Sequence, residues 1–100
     1  MTDLSDIEQR LVAVVHTVVL PLRVSKRVDP EAVEQLMAVG RDLAQVTPYA
    51  EMIPRSLVGT SLFVFTAMLA AAEHAEQPEP ILDVAWQWEG NLREAFGPSF

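Results

Sequence analysis

Few residues in this chain have types and spacing that could do chemistry. The two histidines are His16 and His74, and there is no cysteine. His74 stands in an acidic run of Glu73, Glu76, Glu79 and Asp83. Carboxylates around an imidazole suit a divalent cation or a basic partner. The spacing fits no calcium loop and no Glu-x-x-His metal centre. The run therefore reads as a solvated acidic turn. His16 has Val12, Ala13, Val19 and Leu20 at helical spacing, with no carboxylate or second histidine beside it. A local metal pair is absent, so His16 is expected in a core or interface, bonded to a backbone carbonyl. No metal and no cofactor are expected.

Catalytic patterns are also missing. Without cysteine there is no thiolate nucleophile, thiolate zinc site or iron–sulfur cluster. No serine stands in a Gly-x-Ser-x-Gly elbow. Gly40, Gly59, Gly90 and Gly97 are too dispersed for a phosphate loop. Glu73, Glu76 and Glu79 are spaced by three, but in a proline-bounded segment with no cleft to raise a carboxylate pKa. No catalytic residue is assigned, and an enzyme is not expected. One anion contact is a candidate. Arg55 and Ser56 open a helix, where free amides, a hydroxyl and a guanidinium converge. Arg23, Lys26, Arg27 and Arg41 would add charge if the fold brought them near.

Net charge narrows the partners. The chain carries −7. Residues 1–55 have six Arg or Lys against eight Asp or Glu, and residues 56–100 have Arg93 against six acids. Phosphate backbones are repelled by such a surface, so nucleic acid is not an expected partner. The polar, acidic start from Met1 to Asp6 does not resemble a secretory signal, and a cytoplasmic location is expected. Ser56 to Ala72 is uncharged but at the short limit of a membrane span. A buried core helix gives the same signal, so no membrane is expected.

The elements that must position these residues are helices. One hundred residues, half of them hydrophobic, are enough for one domain, taken as residues 1–100. No segment alternates as a half-buried strand would. Leu4, Ile7, Leu11, Val14, Val18 and Leu22 form one stripe of a first helix, capped near Asp3 or Ser5 and ended or kinked at Pro21. Asp29-Pro30-Glu31 starts a second helix, whose inner face is read as Val33, Leu36, Met37, Gly40 and Leu43, with Ala44 at its edge. Thr47-Pro48 repeats the cap-then-proline signal. A third helix is expected from Arg55 to Glu76, apolar or small on every face and hence central. A fourth runs from about Pro80 to Phe96, with Ile81, Ala85, Trp88, Leu92, Ala95 and Phe96 inside, and stops at Gly97-Pro98.

The expected fold is all-α, four helices in a compact bundle. Two segments, Leu11–Leu22 and 56–72, are uncharged on every side. So small a chain cannot wrap both, so a second copy is expected to complete the cover. Trp88 belongs to the inner stripe. Trp86, two residues away, lies on another face with Leu82 and Gly90. Leu82, Trp86, Gly59, Phe63 and His16 are the candidate interface or ligand contacts. These features point to a non-enzymatic protein of regulatory or adaptor type, dimeric and binding a protein partner. The alternative is a small-molecule carrier or sensor with a pocket lined by Tyr49, Phe63, Phe65, Trp86 and Trp88, and oriented by Arg55 or His16.

Overall fold

The computed structural model describes residues 3–97. The described chain forms four helices and one short 3-10 turn: α1 (Leu4–Ser25), α2 (Pro30–Val46), the turn Thr47–Tyr49, α3 (Arg55–Glu73) and α4 (Glu79–Phe96). They pack as an all-α bundle with no strand among the described residues.

The starts of α1 and α2 follow local chemistry. Asp3 accepts the Asp6 amide at 2.8 Å, and Asp29 accepts the Glu31 amide at 3.1 Å. Each carboxylate satisfies an amide that the first turn leaves free. Pro30 occupies the first position of α2, where its missing N–H costs nothing. At its far end α4 stops on Gly97, whose φ of 109° favours glycine. Pro98, the second half of that expected stop, lies outside the described residues.

Each helix buries one stripe. In α1 it is Ile7, Leu11, Val14, Val18 and Leu22, joined by Val19. Leu4, at the end of the expected stripe, is half-buried against the core. In α4 it is Ile81, Val84, Ala85, Trp88, Leu92 and Ala95, with Phe96 half-buried. In α2 the buried residues are Ala32, Leu36, Val39, Gly40 and Leu43. The expected face of α2 is thus corrected: Val33 and Met37 sit at its half-buried edge, and Ala32 and Val39 point inward. The small side chain of Ala32 and the bare backbone of Gly40 let neighbours approach closely, so the seam is one position off the bulkiest residues.

Three further expectations change. Pro21 neither ends nor breaks α1, which runs one more turn to Ser25. Proline removes one hydrogen bond, but later amides still close the turn: Lys26 and Arg27 donate to the carbonyls of Leu22 and Pro21 at 3.2 and 3.4 Å. The helix then stops at Lys26, left-handed at φ 55°. The third helix ends at Glu73 rather than Glu76. Thr47 caps nothing with its side chain; it is the buried first residue of the 3-10 turn.

The helices form a ring. α1 packs on α2 and α3, and α4 closes the ring against α2 and α3. The links 26–29 and 74–78 are short and join neighbours. The longest, 47–54, carries the chain from α2 to α3 across the ring, and its 3-10 turn packs on the end of α4. Lys26 after α1 and His74 after α3 line one cavity, so these two helices run in the same direction.

Candidate functional site

α3 is the member on which the fold turns. Its inward line is Leu57, Ser61, Val64, Met68, Ala71 and Ala72. Ser61 is the polar residue in that line, and its burial is compensated twice. Its hydroxyl donates to the Leu57 carbonyl at 2.8 Å, and its carbonyl accepts from Trp88 Nε1 at 3.0 Å. A buried indole N–H needs such a partner, so this bond fixes the α3–α4 register.

The opposite line of α3 is exposed. Arg55, Gly59, Leu62, Thr66, Ala70 and Glu73 recur every three or four residues and face away from the core. Between the two charged ends nothing on this helix is charged. Leu62 is 39% exposed and Phe63 42%. The expectation of a central, wrapped helix is therefore corrected. α3 occupies one corner of the ring and keeps an apolar outer face because it has neighbours on two sides only.

Both neighbours extend this face. Toward α1, the Arg23 guanidinium lies over the Phe63 ring at 5.6 Å from its centroid, a cation–π contact. Three and four residues apart from Arg23 along the same side of α1 stand Leu20, His16 and Val12, all exposed. Toward α4, Phe65 meets Trp86 at 5.8 Å between centroids, with ring planes tilted by 59°. Trp86 is 56% exposed. A groove of about 410 Å³ runs between α1 and α3, with Leu22, Ala67 and Ala71 at its base and Arg23, Lys26 and His74 among its lining.

The five candidate contacts fall as follows. Gly59 and Phe63 lie on α3, His16 on the flanking side of α1, Leu82 half-buried and Trp86 exposed on α4. All belong to the α1–α3–α4 side. His16 is exposed with no side-chain hydrogen bond among the described residues, so a core role bonded to a carbonyl is corrected. It sits on the outer side of α1, roughly opposite the core stripe. Leu62, Leu20, Val12 and Arg23 are members of the face that the sequence reading did not single out. The signal was present: once the stripe from Leu4 to Leu22 is assigned inward, Val12 and Leu20 must point outward.

The remaining candidates stay apart. Arg55 and Ser56 are exposed at the start of α3, where Pro54 offers no side-chain cap. Lys26 and Arg27 lie at the opposite end of the bundle, Arg23 reaches only the middle of α3 over Phe63, and Arg41 is on α2, which is not α3's neighbour in the ring. The aromatic set proposed for a ligand pocket is not assembled. Trp88 is fully buried, while Tyr49 is 88% exposed on the 47–54 connection. His74 and Glu76 line a cavity of about 620 Å³ with Lys26 and Arg27, which sets bases against part of the acidic run. No three His, Asp or Glu among the described residues are placed to hold a metal ion.

One described helix, Arg55–Glu73, is long and apolar enough to cross a membrane, and 33% of its most apolar window is buried in the bundle. Comparison with known protein families, curated proteins and solved structures finds no match to this chain.

Proposed function

We propose that this chain is a non-enzymatic helical-bundle protein that works by protein–protein association, of regulatory or adaptor type, and that its α3 face is covered by a second copy. The observation that carries the reading is the uncharged outer line of α3, continued by Leu20 and Val12 on one side and Trp86 on the other. A contiguous apolar face with an exposed tryptophan at its edge is the composition of an interface core. Burying Trp86 and Leu62 removes apolar area from water at about 25 cal/mol per Å².

Sedimentation across a dilution series tests this. The chain is expected to pass from dimer to monomer as it is diluted. Trp86→Ala is expected to weaken association by about 2 kcal/mol, the scale of an interface anchor, while leaving helix content nearly unchanged. A wild-type chain that stays monomeric at high concentration would overturn the reading. An unchanged constant in the variant would remove Trp86 from it.

A further inference from the structure

We infer that the second copy lies antiparallel across α3, related by a twofold axis perpendicular to the helices, so that Arg55 of each chain meets Glu73 of the other. This rests on the self-association proposed above and names its geometry.

Charge at the ends of α3 carries the inference. Arg55 and Glu73 terminate the same outer line, about 27 Å apart at 1.5 Å per residue, with only uncharged residues between them. Both are exposed, and neither makes an ion pair among the described residues. Both also oppose their own helix. A cation stands at the positive end of the α3 dipole and an acid at the negative end, and no side chain caps the start. Within one chain this arrangement is unfavourable. In an antiparallel pair each Arg55 reaches the negative end of the other α3 and its Glu73. The same two residues then become attractive.

A parallel twofold would instead place Arg55 on Arg55 and Glu73 on Glu73, a repulsion at both ends of the face. The axis passes at position 64, the midpoint of the α3 line. The Phe65–Trp86 contact brings Trp86 to the same height on α4, next to the axis. Small side chains at Gly59, Thr66 and Ala70 allow the two α3 helices to approach closely.

The test is charge reversal in the full chain: Arg55→Glu, Glu73→Arg and the double variant, each followed by sedimentation across a dilution series. Every dimer contains the pair twice. Each single reversal is therefore expected to raise the dissociation constant roughly tenfold, with a smaller effect at high salt. The double variant is expected to return close to wild type. Thermal unfolding of the diluted monomer separates this from misfolding. There each single reversal is expected to leave the fold intact or raise its midpoint slightly, because the new charge suits the helix dipole. If the wild type dimerises but the single variants do so equally well, or the double is no better than the singles, the antiparallel pairing falls and self-association stands. A wild type that is monomeric throughout overturns both. So does a monomer that floats with anionic phospholipid vesicles, because a lipid surface would then be the occupant of the face.

Discussion

Single residues set the tolerance of this core. Gly40 of α2 is buried against α4, and a Cβ there would press on the side chain of Asn91 and lie 3.1 Å from Trp88 Cζ3. Alanine normally gains about 1 kcal/mol over glycine inside a helix. Here overpacking costs about 1–3 kcal/mol, because the fully buried indole is tethered to Ser61 and cannot retreat. Gly40→Ala is therefore expected to destabilise by about 1 kcal/mol net in urea unfolding, and a stabilised variant would show that α2 and α4 can part. Thr47 is the converse case. Its hydroxyl is buried with no hydrogen-bond partner among the described residues. Thr47→Val keeps the shape and removes the desolvated oxygen, so a gain of up to about 1 kcal/mol is expected from the urea midpoint. A loss of that size would mean that the hydroxyl is bonded in solution.

At the scale of the element, the helices differ in what ends them. The second helix starts on a carboxylate cap with proline behind it and reads directly from sequence. The last turn of α1 does not, because Pro21 suggests a stop four residues early. What closes α1 is Lys26 in the left-handed region, a conformation that costs a side-chain residue about 1 kcal/mol or more. Lys26→Gly removes that strain but loses the lysine charge near the helix end and adds glycine's entropy. The balance is expected to favour the variant by about 0.5 kcal/mol, read as a small rise in thermal midpoint. A drop would show that the Lys26 ammonium, placed 3.3 Å from the Arg23 carbonyl, matters more than the backbone. On the α1–α2 side, Arg10 and Asp42 pair at 2.6 Å while both remain partly exposed. Such a bond orients the two helices and adds little stability.

Across the whole molecule, ring order decides which faces are free. α3 contacts α1 and α4 and sits diagonally from α2. A helix at a corner buries about half its circumference, and α3 has no polar half to offer water. The proposed association follows from that mismatch between a corner position and an all-apolar sequence. It also makes sense of the charge pattern, in which the ends of α3 carry the residues least suited to an isolated helix. The parallel run of α1 and α3 separates Arg55 from Lys26 and Arg27, which lie at the other end of α3, and the burial of Trp88 keeps it apart from the exposed Tyr49.

Helix identity and the inner stripes of α1 and α4 were legible in the residues themselves. Hydrophobic side chains at a spacing of three or four leave a helix only one way to face a core, and Trp88 inside with Trp86 outside follows from helical geometry alone. Sequence also showed that apolar surface exceeds what four helices can hide. It did not show which helix keeps the excess. Periodicity is a property of one helix, whereas exposure depends on how many neighbours that helix has. The expectation of a central α3 failed for this reason, and so did that of a His16 within the core of its own chain. Packing order alone decided that α3 stands at a corner, that His16 lies outside the bundle core, and that Leu20, Phe63 and Trp86 share one side.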